Sequence, residues 1–143
     1  MRILTILAAM CCATAMAGEP ALHSTHDSAS LEWGPCPPFF AEGCGVAVLH
    51  ANEDGTGADV FFRYPAGESF VEHWHTSAER MVLVQGRMDV TYEGQDTTTL
   101  NVGDYAFGPA KHKHHGACVS DDDCILFIAF NQAIDAHEVA STD

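Results

Sequence analysis

Two histidines and a glutamate lie close together in one polar stretch of the chain. His73 and His75 are two residues apart, so a β-strand would point both imidazoles to the same face. Glu79 follows a short polar break at residues 76–78 and precedes an apolar run, residues 81–84, that is typical of a buried strand. If the break is a turn, Glu79 comes back beside the two histidines. Two neutral imidazoles and one carboxylate on a shared face suit a divalent transition metal.

These residues belong to the first of two spaced motifs. Residues 67–86 read Gly-x5-His-x-His-x3-Glu-x6-Gly, which resembles the first motif of the cupin superfamily. Residues 103–114 read Gly-x5-Pro-x-Lys-x2-His and resemble the second cupin motif, with Lys111 at a position that is usually glycine. Because of this lysine, we expect the turn after Pro109 not to be of the usual left-handed kind. Cys118 also stands where many cupins have asparagine.

The resemblance implies a ligand set. Carried over position by position, it assigns four ligands to one divalent transition metal ion: His73, His75, Glu79 and His114. The metal is left open among iron, manganese, nickel, copper and zinc. Four protein ligands leave two vacancies of an octahedron, which suit a substrate that chelates through two oxygens. Glu79 is also the candidate catalytic residue, as a proton acceptor, since no other base stands out in the sequence.

Short strands separated by turn signals run through most of the chain. Eight to ten strands are predicted, with no clear helical period before Ala133. This pattern alone predicts an all-β sandwich or barrel, and the cupin resemblance narrows it to a double-stranded β-helix, the jelly-roll barrel. We predict an extended, proline-rich segment at residues 18–45, the barrel at residues 46–132, and a tail at residues 133–143. The tail is either a strand or a turn of helix.

A cavity inside such a barrel would be lined by aromatic and methionine side chains. The assignment of strand faces depends on the register, and a shift of one residue would invert the selection. The predicted lining residues are Phe62, Tyr64, Met81, Met88, Tyr92, Phe107 and Phe127. A wall of this kind favours a small, partly apolar ligand that is cyclic or unsaturated.

The first seventeen residues have the composition of an export signal. Arg2 supplies a positive charge, residues 3–9 are apolar, and residues 15–17, Ala-Met-Ala, form a small-x-small cleavage site. We predict a signal peptide at residues 1–17 and a periplasmic or secreted mature protein that is free of the membrane. The alternative is a lipoprotein acylated at Cys11 or Cys12.

Four cysteines follow this leader, and an even number in an oxidising compartment suggests disulfides. Three connectivities are open. Pairing of sequence neighbours, Cys36 with Cys44 and Cys118 with Cys124, is preferred because residues 119–123 are polar and are typical of a hairpin loop. Closing so short a loop would contribute roughly 2 kcal/mol through chain entropy. The alternative is that the four cysteines are free buried thiols.

The chain is strongly acidic, with six lysines and arginines against twenty aspartates and glutamates and a net charge of −14. Such a surface repels nucleic acid and anionic lipid, so neither is an expected partner. The expected partner is a small-molecule ligand or substrate. A homodimer is left open.

Three functions are compatible with these motifs. The first is an exported metal-dependent enzyme acting on a small chelating organic molecule. For such a chain the resemblance implies a dioxygenase, an isomerase, a lyase or a decarboxylating enzyme, and of these we expect a dioxygenase-type oxidoreductase. The second is a non-catalytic cupin module that binds a small molecule or a metal. The third is a purely structural role, in which the bound metal stabilises the packing of the strands and does nothing else. Because one fold serves many functions, the fold alone does not choose among them.

Overall fold

The computed structural model describes residues 19–140 of the chain. The predicted signal peptide lies outside this range. Within it no helix is long and apolar enough to cross a bilayer. The described residues form eleven strands: β1 Trp33–Pro35, β2 Gly45–Ala51, β3 Ala58–Tyr64, β4 Ser69–Trp74, β5 Glu79–Gln85, β6 Arg87–Tyr92, β7 Thr98–Asn101, β8 Tyr105–Gly108, β9 His114–Cys118, β10 Cys124–Phe130 and β11 His137–Glu138.

The strands form two antiparallel sheets that enclose one core. The six-stranded sheet has the order β1-β2-β3-β10-β5-β8, and the five-stranded sheet has the order β11-β4-β9-β6-β7. The prediction of an all-β jelly-roll barrel is confirmed. The strand count exceeds the predicted eight to ten because β1 and β11 form in the N-terminal segment and in the tail. The tail therefore contains a strand rather than a turn of helix.

Strand β10 shows how the period of two divides residues between the interior and the outside of the barrel. Leu126 and Phe130 pack in the core between the sheets. Ile125 and Phe127 instead join a second apolar cluster on the outer face of the six-stranded sheet. The N-terminal segment covers this second cluster, with Leu31 among the side chains that pack against it. Both faces of the six-stranded sheet are thus protected from water in this region.

After β1 the chain forms a loop that is closed by a disulfide between Cys36 and Cys44, whose Cα atoms are 5.7 Å apart. The backbone N–H of Ala41 in this loop donates to the Tyr64 hydroxyl at 3.2 Å. The same hydroxyl donates to the backbone carbonyl of Ser69 at 3.0 Å. The disulfide therefore closes the loop on itself, and the buried tyrosine holds the loop against the barrel. We refer to residues 35–44 as the strap.

The second disulfide joins Cys118 and Cys124 across the loop between β9 and β10, with Cα atoms 5.7 Å apart. Gly86 packs directly on it. This glycine has a φ of +84°, and a Cβ at this position would lie 2.9 Å from the Cys124 Sγ, so both the conformation and the space require glycine. Both disulfides join sequence neighbours, the connectivity preferred above, and both are consistent with an oxidising compartment.

The turn after Pro109 corrects one prediction. Lys111 has a φ of 61°, so this turn is left-handed, although a residue with a side chain was not expected to adopt that conformation. Its backbone N–H donates to the His75 carbonyl at 2.8 Å, which ties the second motif to the first. The prediction was wrong because this hydrogen bond fixes the backbone, and the exposed side chain tolerates a conformation that costs roughly 1–2 kcal/mol.

Candidate metal centre

Three histidines converge between the two sheets. His73 is in β4, His75 directly follows that strand, and His114 begins β9. The register places His73 opposite His114, and one ring nitrogen from each of the three residues lies within 4.8 Å of the others. All three side chains are buried. These three residues are the histidine cluster.

Backbone carbonyls orient each ring of the histidine cluster. The Nδ1 atoms of His73 and His114 each donate to the carbonyl two residues earlier in the chain, at 2.9 and 3.1 Å. The Nδ1 atom of His75 donates to the backbone carbonyl of Asp135, in the tail. A carbonyl only accepts, so these bonds place the ring proton on Nδ1 and leave the Nε2 lone pair free to bind a metal.

Glu79 approaches the histidine cluster from the other sheet, at the first position of β5. Its Oε1 atom is 3.4 Å from Nε2 of His75, and its Oε2 atom is 3.8 Å from Nε2 of His114. Ser77 fixes the turn that precedes it, because its buried hydroxyl accepts hydrogen bonds from two backbone N–H groups just after β10. The break at residues 76–78 thus returns the chain and brings the carboxyl group beside the histidines.

Burial favours the uncharged form of every titratable group in this centre. It lowers the pKa of His73 to about 4 and that of His114 to about 3, and it also lowers the pKa of His75. Burial, and secondly the nearby Asp135 carboxylate, raise the pKa of Glu79 to about 8. Within residues 19–140 this carboxyl has no lysine or arginine partner. Three imidazole lone pairs and an unpaired carboxyl group fit a divalent cation, which supplies the missing positive charge.

Tyr92 adds a second buried polar group without a partner. Its hydroxyl is shielded from solvent and makes no hydrogen bond to any of the residues 19–140. The ring lies beside His114, with centroids 5.0 Å apart. A Cβ on Gly108 would lie 2.6 Å from this hydroxyl and 3.1 Å from the Glu79 Oε2, so glycine leaves the space that both groups occupy. Burial, and secondly the Glu79 carboxylate, raise the pKa of Tyr92.

The tail forms one wall of the centre. Strand β11 pairs with β4, with His137 opposite Trp74, and the two rings stack with centroids 4.1 Å apart. The Asp135 carboxylate accepts a hydrogen bond from the Thr76 N–H at 2.8 Å and lies 3.1 Å from Nε2 of His137. These contacts fix the carbonyl to which His75 donates, so the tail sets the orientation of one histidine of the cluster.

The centre opens into a cavity of about 290 Å³ that is lined by both sheets, the strap and the tail. Phe40 reaches it from the strap and lies edge-on to His73, with ring centroids 4.9 Å apart. Of the lining side chains, Cys36 is disulfide-bonded and most others are apolar. The polar ones are His73, His75, Glu79, Tyr92, His114 and Asp135.

Four of the seven residues predicted to line a cavity do so: Phe62, Met81, Met88 and Tyr92. The other three do not. Phe127 lies on the outward face of β10. This is the inversion that a register shift of one residue produces. Phe107 is 52 % exposed on β8, the edge strand of its sheet. Tyr64 is fully buried in the core, where its hydroxyl is already satisfied by the strap and by Ser69.

Other histidines lie outside the cluster. The His112 ring bonds to the Glu93 carbonyl at 3.1 Å, and His50 lies 3.0 Å from the Glu19 carboxylate. His115 is exposed on β9, as expected for the residue next to an inward-facing histidine. Sequence reasoning missed Asp135 and Phe40 as parts of the site. Phe40 had one signal, its place in an aromatic pair, residues 39–40, within the predicted proline-rich segment.

Residues 23–134 match the family model described as the ChrR cupin-like domain. This range includes the strap and every residue of the histidine cluster, and it ends just before Asp135. No curated protein sequence matches the chain.

Solved structures share the fold at low identity. The polyketide cyclase RemF from Streptomyces resistomycificus has a TM-score of 0.68 at 14 % identity, over 86 % of this chain and 89 % of that one. The DMSP lyase DddQ from Ruegeria pomeroyi has a TM-score of 0.64 at 18 % identity. The match covers 76 % of this chain but only 61 % of the lyase. An RmlC-like cupin from Shewanella frigidimarina has a TM-score of 0.62 at 23 % identity, over 78 % of this chain and 95 % of that one.

Proposed function

This chain belongs to the ChrR cupin-like domain family of the cupin superfamily, and on that premise we propose that it is an exported metal-dependent enzyme. We propose a dioxygenase-type oxidoreductase that acts on a small organic molecule able to chelate a metal. One observation carries the proposal. Three imidazoles with free Nε2 lone pairs and one unpaired buried carboxyl converge on a single point at the wall of an apolar cavity.

The residues that would hold the metal are His73, His75, Glu79 and His114. Their donor atoms suit iron, manganese, nickel, copper or zinc. When bound, such an ion supplies Lewis-acid polarisation of a substrate oxygen and, for iron or copper, redox chemistry as well. The backbone carbonyls behind the three rings keep the lone pairs aimed inward, which reduces the conformational entropy that ligation costs.

The chain itself contributes proton handling and exclusion of water. Glu79 is the proposed proton acceptor because it lies beside the histidine cluster and, within residues 19–140, its carboxyl group makes no hydrogen bond. Asp135 is less suited to this role because its carboxylate is already engaged by Thr76 and His137. The apolar walls and Phe40 of the strap limit the access of water to the reacting atoms.

Export is part of the proposal. The two disulfides are consistent with an oxidising compartment. The leader at residues 1–17 would direct the chain to the periplasm or out of the cell. The neighbours with solved structures include a cyclase and a lyase, so the fold admits several reaction types and does not itself select one.

A second function is a non-catalytic module that binds a small molecule or a metal. One observation favours it: as far as residues 19–140 show, Glu79 is the cavity-lining carboxyl group without a hydrogen bond, and it is also a proposed metal ligand. If ligation occupies Glu79 fully, no base remains to accept a substrate proton.

Oxygen uptake by the iron(II)-loaded protein tests the choice between these functions. The parent should consume oxygen and transform at least one member of a panel of small phenols and diketones. Glu79→Gln should lose this turnover, whereas Glu72→Gln, a neighbouring change outside the cavity, should keep it. If the parent binds a chelating compound tightly but neither consumes oxygen nor alters the compound, the binding module replaces the enzyme as the proposed function.

A further inference from the structure

The polar groups of the cavity are confined to one place. The ring nitrogens of the histidine cluster lie within 4.8 Å of one another. The two carboxylate oxygens of Glu79 lie 3.4 Å from Nε2 of His75 and 3.8 Å from Nε2 of His114. Tyr92 packs beside His114, and the backbone carbonyl of Asp135 accepts a hydrogen bond from His75. Every polar residue of the lining is thus part of the candidate metal centre or in contact with it.

The rest of the lining offers nothing to a second polar group. It consists of aliphatic, aromatic and methionine side chains from both sheets, together with proline, phenylalanine and the disulfide of the strap. Among residues 19–140, the lining contains no lysine or arginine. Moving a charged group out of water without a partner costs several kcal/mol, on the order of a thousandfold in affinity, unless the group is neutralised.

Three basic side chains of the barrel are engaged elsewhere. Arg63 stacks over Trp33, 4.5 Å from the ring centroid, and Arg87 donates to the Val119 carbonyl. Lys113 pairs with the Glu93 carboxylate at 3.1 Å. A ligand carboxylate far from the centre would therefore find no lysine or arginine among the described lining residues, inside a protein whose net charge is already −14.

We propose that the cavity takes a ligand whose polar atoms are confined to one end, next to the histidine cluster, and whose remaining surface is uncharged hydrocarbon. This inference rests on the proposed function, because the metal centre is what anchors the polar end. It narrows the substrate class: molecules with a second ionic group at the opposite end are excluded. At about 290 Å³ the cavity lies near the lower limit of small-molecule sites, roughly 300–1,000 Å³, so the hydrocarbon part is small.

Two matched probes test the inference: 4-methylcatechol and 3,4-dihydroxybenzoate. They share the chelating diol and differ only in a methyl or a carboxylate group at the opposite end. Binding to the cobalt(II)-loaded protein is followed under argon by the visible absorption of the metal, which needs no turnover. 4-Methylcatechol should bind at least about tenfold more tightly, the equivalent of ~1.4 kcal/mol.

A positive charge placed in the wall should reduce or cancel this preference. Val46 lines the cavity, and Val48, two residues along the same strand, is 55 % exposed. Val46→Lys should improve binding of 3,4-dihydroxybenzoate relative to 4-methylcatechol by about tenfold or more, whereas Val48→Lys should leave the ratio unchanged. The circular dichroism spectrum and the cobalt content of each variant confirm that it is folded and loaded.

The possible failures are distinguishable. If the parent binds cobalt and both probes with equal affinity, or prefers the carboxylate, the inference is overturned while the proposed function stands. If the parent binds no cobalt, or if neither probe changes the absorption, the proposed function fails and this inference fails with it. The comparison of the two probes uses only the parent protein. It therefore still tests the inference if the Val46→Lys protein fails to fold.

Discussion

His75 donates a hydrogen bond from its Nδ1 atom to the backbone carbonyl of Asp135, sixty residues further along the chain. The Asp135 side chain at the same time accepts from the Thr76 N–H, next to His75. Asp135 thus fastens the tail, through both its backbone and its side chain, to the start of the turn between His75 and Glu79. A segment outside the two motifs thereby determines which nitrogen of His75 faces the centre.

Asp135→Ala is expected to weaken metal binding without unfolding the protein. Loss of the carboxylate releases the tail from Thr76 and His137 and loosens the carbonyl that orients His75. Changes of such outer contacts cost about 10–100-fold in metal affinity. Competition with a chelator measures the effect, and Asp121→Ala, which removes an exposed carboxylate in the loop after β9, is the control. Equal affinities for both variants would contradict the role of the tail.

The metal-free protein should lose stability as the pH rises from 6.5 to 8. The pKa of Glu79 is raised from 4.5 to about 8 on folding, so its contribution is complete below pH 4.5 and is lost as the pH rises through 8. The lowered pKa values of His73 and His114 act with the opposite sign, but only below 6.5. The free energy of unfolding should therefore fall by about 2 kcal/mol between pH 6.5 and 8.

Urea denaturation at the two pH values measures this change. Glu79→Gln cannot ionise, so its stability should be flat over the same range. Bound metal should abolish the fall in the parent, since a cation stabilises the ionised carboxylate. An equal fall in the parent and in Glu79→Gln would show that another group is responsible.

The three tyrosines should respond differently to removal of the hydroxyl. Tyr64→Phe leaves the Ala41 N–H and the Ser69 carbonyl without their partner and should cost about 1–3 kcal/mol of stability. Tyr92→Phe removes a hydroxyl that has no partner among residues 19–140, so stability should be unchanged or higher. Tyr105→Phe is the control, and it should leave stability unchanged because Tyr105 is 61 % exposed. A Tyr92→Phe protein as unstable as Tyr64→Phe would contradict this assignment.

Lys111→Gly is expected to stabilise the protein by about 0.5–1 kcal/mol. Lys111 has a φ of 61°, a conformation that glycine adopts without the steric cost of a Cβ atom. Part of the gain is offset by the greater freedom of glycine in the unfolded chain. Lys111→Ala removes the same charge but keeps the Cβ, so it should not be stabilising. Equal effects of the two substitutions on the denaturation midpoint would assign the change to charge instead of backbone.

The spacing of residues predicts the parts of the site that lie close together in the sequence. His73 and His75 are two residues apart, so the period of a strand is enough to place them on one face. The turn at residues 76–78 then carries the chain to the facing sheet, from which Glu79 approaches them. Contacts between distant segments are different. The approach of Asp135 to His75, and the place that Gly108 leaves for Tyr92, depend on strand pairing that no local pattern specifies.

Two errors have a similar origin. The sequence pattern leaves one register step on β10 open, and strand pairing with β3 and β5 decides that step and turns Phe127 outward. The intrinsic preference of Lys111 disfavours a left-handed conformation, but the hydrogen bond from its backbone N–H to the His75 carbonyl imposes one. In both cases a tertiary contact overrides a local preference.

The metal content of the purified protein tests the central claim most directly. The parent, isolated from the exported fraction, should carry one divalent transition metal ion per chain. His75→Ala should remain a folded β protein by circular dichroism but retain no stoichiometric metal, whereas His115→Ala, which alters an exposed histidine of β9, should retain it. Full metal occupancy in His75→Ala, or none in the parent after reconstitution, would contradict the assignment of this centre.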